Sequence, residues 1–218
     1  MNLLLFVIFG TFEVLAMYYL CCALFRFNAK SYLIKFSITQ IPILLVNYLI
    51  RLEDPISGLA PLFSLIMIIL FLRVFLNEVS LLWAAIMGIV SYAIFGVIQT
   101  AILSALILAN FTTFATIHDH PIVSYFLQIS SGLIIYLIAH YLYKRGIGFT
   151  FALDRFKLVG ENIVIMIILF VFLIAVGIIF YFNDLLIITV VLVLPILYLT
   201  YFAIRKQRED ARDTTFLE

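Results

Sequence analysis

A carboxylate in the middle of an apolar run is the sharpest chemical feature of this sequence. Glu13 lies within the stretch Leu3 to Leu24, which carries no other charged residue. A charged group at the centre of a bilayer costs at least ~2.5 kcal/mol, so Glu13 has to face other helices, take up a proton or find a partner. Other apolar runs supply neutral polar partners: Gln40, Asn47, Gln99 and Gln128, with Tyr18 on the same run. Amides inside a membrane bundle form interhelical hydrogen bonds worth about 0.6–2 kcal/mol. As a site, Glu13, Gln40, Asn47, Gln99 and Gln128 make a ligand-binding or switching set. As packing, the same residues hold helices together.

Other candidates lie nearer the span ends. The acidic turn with Glu53 and Asp54, and the loop with His118 and His120, offer contacts to a ligand outside the membrane. His118-Asp119-His120 places three ligand types in a row, whereas a metal site needs spaced ligands converging from a fold, so no metal is expected. Asn110-Phe111-Thr112 matches the glycosylation sequon. Pro195, midway along the last apolar run, removes a backbone donor and is a candidate hinge. Cys21 and Cys22 near one end of the first run, and His140 near the end of another, contain the elements of a nucleophile–base pair. No third group orients them, so inert packing or acylation of a cysteine are the competing readings. Walker A, HExxH, GxSxG and dinucleotide glycine motifs are absent. Neither a catalytic centre nor a cofactor is expected.

The elements that position these residues follow from composition. The sequence is 66% hydrophobic and 11% charged, with a mean hydropathy of +1.25. These values belong to polytopic membrane proteins. About 20 apolar residues cross a ~30 Å hydrocarbon core, and seven such runs fit: Leu3 to Leu24, Tyr32 to Ile50, Ile56 to Leu76, Leu81 to Ala109, Pro121 to Tyr143, Asn162 to Tyr181 and Leu185 to Ile204. Met1-Asn2 lacks a basic n-region, so the first run is read as a retained span. The fourth, about 44 Å long at 1.5 Å per residue, has to tilt or project beyond the bilayer. Residues 205–218 form a charged tail behind a seven-span domain of residues 1–204. The fold class is therefore an all-α polytopic helix bundle. The segment 144–161 interleaves basic and apolar residues, as an interfacial segment does.

Charge sets the expected orientation. With the C-terminus in the cytoplasm and the N-terminus outside, the outer loops carry Arg51 alone of the 13 basic residues. The inner side carries the rest, including Arg26, Lys30, Arg73, Lys144, Arg155 and Arg205, as the positive-inside rule requires. Lys35, inside the second run, has to snorkel. The expected location is the cell membrane, as a multi-pass protein in contact with the lipid bilayer, and no nucleic-acid partner is expected.

Three features carry a resemblance to a known family: the span count with short outer turns, the opening span with Thr11-Phe12-Glu13-Val14-Leu15 followed by Tyr18-Tyr19, and a last span running through Tyr201-Phe202-Ala203-Ile204 into Arg205-Lys206-Gln207-Arg208-Glu209. The layout resembles the membrane sensor region of Agr-type quorum-sensing histidine kinases of Gram-positive bacteria, which carry a GHKL-type ATPase domain. The resemblance implies a homodimeric receptor for a secreted, extracellular peptide. Such kinases continue into a phospho-accepting histidine helix and an ATP-binding domain. This sequence has no histidine after His140, so the expected output is a cytoplasmic kinase or other partner, or a longer continuation. In the tail, Arg205 with Glu209 and Lys206 with Asp210 are spaced to extend the last helix. The reading is a sensor module relaying an outside signal through its last span. The alternatives are a small transporter or channel subunit and an intramembrane peptide-processing enzyme.

Overall fold

The computed structural model describes residues 3–52, 59–76, 79–111 and 121–149, together with Val193, Leu197, Tyr198, Tyr201 and Ile204 as helical positions. These residues form five helices and no strand: α1 (Leu3–Leu24), α2 (Ala29–Leu52), α3 (Ala60–Phe75), α4 (Leu81–Leu108) and α5 (Pro121–Arg145). Four of them are long and apolar enough to cross a membrane, while α3 has 16 residues and is shorter. The sixth expected span, nearly all of the seventh and the tail lie outside the described residues. So do Pro195, Glu53, Asp54, His118 and His120.

Local chemistry sets the helix ends. α2 begins at Ala29, three residues before the expected Tyr32, because Asn28 Oδ1 accepts the Lys30 N–H at 3.2 Å and starts the helix in polar sequence. α3 begins at Ala60, not at the expected Ile56. Leu59 is its cap residue, and a proline in the first turn needs no N–H partner there. Ser80 caps α4 by accepting the Trp83 N–H at 3.4 Å. Three helices end in the same way, with a left-handed residue and a bond reaching back over the last turn. The residues are Arg26 (φ 61°), Asn110 (φ 58°) and Gly146 (φ 73°). The bonds run from Phe27 N–H to Cys22 O at 2.9 Å, from Phe111 N–H to Leu106 O at 3.0 Å and from Ile147 N–H to Leu142 O at 3.0 Å.

α1 packs against α2, α4 and α5, and α4 also packs against α3 and α5, so α1 and α4 form the centre of the described bundle. Close approach of α1 depends on small residues. A Cβ on Gly132 of α5 would lie 2.8 Å from Phe12 Cδ1 and 3.6 Å from Glu13 Cα. A Cβ on Gly10 would lie 2.5 Å from Leu44 Cδ2 of α2. Beyond α5, the chain returns to the end of α1: Phe149 N–H donates to Leu24 O at 2.7 Å, and Arg26 Nη1 donates to Tyr143 O at 3.4 Å.

Large apolar side chains also cover much of the exterior. Ile34, Ile38, Leu70, Phe126 and Leu137 are all exposed. Contiguous apolar surface of this kind is uncommon on water-soluble monomers and fits contact with hydrocarbon. Lys35 stands on the outside of α2, its ammonium 5.6 Å from the Tyr32 ring centroid and 5.9 Å from that of Phe75.

Candidate functional site

Among the described residues, one end of the bundle is closely packed and the other holds a cavity. At the end where α1 finishes, Leu20, Cys22, Leu72, Trp83, Ile86 and Met87 are at most 1% exposed. Towards the end where α1 begins, a cavity of about 350 Å³ opens among all five helices. Its walls come from the early part of α1 (Phe6 to Met17), the late part of α2 (Leu44 to Arg51), the early part of α3 (Ala60 to Ile68), the late part of α4 (Tyr92 to Leu103) and the early part of α5 (Ser124 to Gln128). That alternation is the pattern of an up-and-down bundle.

Four of the five polar residues expected to form a set, Glu13, Asn47, Gln99 and Gln128, line this cavity together. Glu13 projects from α1 and accepts a hydrogen bond at Oε1 from Gln99 Nε2 of α4, at 3.1 Å. Asn47 Nδ2 of α2 donates to Ser64 Oγ of α3 at 2.6 Å, and Ser64 in turn donates to Ala60 O at 3.0 Å. These two pairs tie α1 to α4 and α2 to α3 across the hollow. Asn47 Oδ1 and Gln128 Oε1 are buried with no hydrogen-bond partner among the described residues.

Gln40 does not join the set. It is buried, with Oε1 unpartnered among the described residues, but it does not line the cavity. Seven residues before Asn47, it shares that residue's helix face but sits about 10 Å further along the axis, in the solid half. Tyr18, the other expected partner of Glu13, instead stacks flat on Phe36 of α2, with centroids 4.2 Å apart and planes at 5°.

The cavity also contains residues that the sequence did not single out as site candidates. Arg51 is the most consequential. Sequence counting treats it as a loop charge, yet it belongs to the last turn of α2. Its guanidinium lies over the Phe6 ring, 5.5 Å from the centroid, and it lines the same cavity as Glu13. Among the described residues, Glu13 and Arg51 are the only formally charged ones in the lining. Ser64, Thr100, Ser124 and the phenol Tyr92 add neutral polar groups. A small polar residue inside an apolar run was the available signal for the first three.

The cysteine–histidine arrangement is not assembled. Cys21 and Cys22 are buried at 2% and 0% exposure, and the Cys21 thiol points to Met87 O at 3.9 Å. His140 is exposed, stacks on Tyr136 and shares a 3.3 Å hydrogen bond with the Tyr19 hydroxyl. Burial also leaves neither thiol exposed for acylation. Among the described residues, no group of three His, Cys, Asp or Glu side chains could hold a metal ion.

Chemically, the cavity offers one anion, one cation and several amides and hydroxyls on apolar walls, which suits binding and orienting a small polar ligand. Comparison with protein-family models, with curated proteins and with solved structures gave no match.

Proposed function

We propose that this chain is the membrane-embedded sensor module of a signalling system. In this reading the protein has seven spans, an outside N-terminus and a cytoplasmic tail. An extracellular ligand enters the cavity, shifts the packing of α1 against its neighbours and is read out through the last span. The observation that carries the proposal is the convergence of Glu13, Asn47, Gln99 and Gln128 on one cavity lined by all five described helices. In the expected orientation the cavity end faces outwards, with Arg51 at its rim. Close packing of the described residues at the other end, around Leu20, Leu72 and Trp83, favours a binding cavity over a pore between these five helices. A secreted peptide as the signal, and a kinase or similar partner as the output, rest on the resemblance to Agr-type sensors.

The test is sided chemical labelling. Ser124, partly exposed on the cavity wall, is replaced by Cys while both native cysteines stay buried. An impermeant thiol reagent is applied to intact cells and, separately, to inverted vesicles. Labelling from outside supports the receptor. Labelling only in inverted vesicles places the cavity on the wrong side and removes it.

A second reading, a small transporter, is favoured by one observation: an ionisable group, Glu13, lines a cavity within the bundle, as substrate and coupling-ion sites of transporters do. Proton-coupled flux in liposomes that disappears with Glu13→Gln would select it.

A further inference from the structure

We propose that the cavity recognises a compact zwitterion, an α-amino acid or dipeptide with an apolar side chain, holding its ammonium at Glu13 and its carboxylate at Arg51. The inference rests on the cavity being the ligand site proposed above, and adds what the ligand is.

Unsatisfied acceptors point to the ammonium. Asn47 is 7% exposed and Gln128 6%, and the amide oxygen of each lacks a partner among the described residues. The orientation of Asn47 is fixed by its neighbour. Ser64 donates its single hydroxyl proton to Ala60 O, so Asn47 presents its NH2 to Ser64 and keeps Oδ1 free. Glu13 receives one hydrogen bond, from Gln99 at Oε1, whereas a carboxylate accepts about four. Three helices thus bring three acceptors to one cavity, and a primary ammonium has three donors to match.

Arg51 supplies the opposite end. Its guanidinium rests on the Phe6 ring at 5.5 Å, a contact that leaves the N–H fork available for a carboxylate. Phe6 and Glu13 are two turns apart on α1, about 10 Å along the axis. An extended residue covers about 3.5 Å, and each terminal hydrogen bond adds about 3 Å. A ligand of one or two residues matches that axial spacing. Val14, Leu44, Ile68, Phe95 and Leu127 supply apolar walls to the same cavity. A bare metal ion fits poorly, because its oxygen ligands must close to about 2.0–2.6 Å and the space is about 350 Å³.

The full chain in lipid nanodiscs tests this with L-leucyl-L-leucine, its N-acetyl derivative and its C-terminal amide, by thermal shift and ligand-observed NMR. Leucyl-leucine is expected to bind saturably. N-acetylation, and separately Glu13→Gln, should each weaken binding by roughly ten-fold or more, as loss of a charge-assisted hydrogen bond does. The amide should bind more weakly than the free acid to the native chain, and equally to Arg51→Gln. The N-acetyl arm changes no residue, so it stands even where a variant misfolds. Equal binding of the N-acetyl and parent peptides overturns the inference. So does a Glu13-dependent shift with sodium chloride alone that the peptide does not increase, or no binding at millimolar peptide. Glu13-dependent peptide binding combined with labelling of Ser124→Cys only in inverted vesicles would remove the receptor and leave the recognition standing.

Discussion

Breaking the hydrogen bond between Glu13 and Gln99 gives a measurable coupling energy. Gln99 Nε2 donates to Glu13 Oε1 at 3.1 Å, joining α1 and α4 across 86 residues of sequence. A hydrogen bond to a charged group contributes about 1.5–3 kcal/mol in water-soluble proteins. Interhelical polar pairs in membrane bundles average only ~0.6 kcal/mol, with a maximum near 1.7. Here both side chains are half-buried and face an open cavity, where water competes for the same atoms. We therefore expect about 1 kcal/mol of coupling between Glu13→Ala and Gln99→Ala, a roughly five-fold effect on the unfolding equilibrium. Reversible unfolding in mixed micelles, followed by tryptophan fluorescence, measures it. Trp83 is the single tryptophan and is 1% exposed in the solid half, so it reports global unfolding, not a change at the cavity. A coupling below about 0.3 kcal/mol with all variants folded would be ordinary additivity and would refute the contact.

Three further outcomes follow from the same packing. Gly132→Val should destabilise the bundle by about 1–3 kcal/mol in the same unfolding assay, because its Cβ would press on Phe12 at 2.8 Å; a neutral result would show that α1 and α5 are further apart. Gly146→Ala should cost about 1–2 kcal/mol through its φ of 73°, seen as a lower denaturation midpoint. Cys21 and Cys22 should react with a small maleimide only on unfolding, so labelling of folded protein at the rate of a free thiol would contradict their burial.

The sequence resolved helices better than it resolved their faces. α1, α4 and α5 start where their apolar runs start and end within two residues of them, since a long apolar run leaves little choice of conformation. Positions around a helix were less readable, because these helices are apolar on nearly every side and no stripe marks the inward face. Gln40 and Asn47 look equivalent as amides one heptad apart, yet one borders the cavity and the other lies in the solid half. Axial depth separates them, and local sequence does not encode the depth at which other helices part. Arg51 was missed for the opposite reason. Counting charges to orient the spans assigns a residue to a loop and stops there, whereas α2 runs one residue past Arg51 and carries it to the cavity rim.

The contact between the end of α1 and the chain beyond α5 also bears on the order of assembly during synthesis. Arg26 and Tyr143, which meet there, are 117 residues apart, and the Leu24 carbonyl is satisfied by Phe149. Gly132, which lets α1 settle against α5, belongs to the same late segment. Among the described helices, α1 is made before α5 yet has its largest interface with it, so that interface and the end of α1 are completed late. Long-range closures of this kind come late and are slow. Glu13 can meet Gln99 once α4 is in place, whereas the backbone beside it is covered by Gly132 of α5, so the polar pair can form before the close helix contact that encloses it.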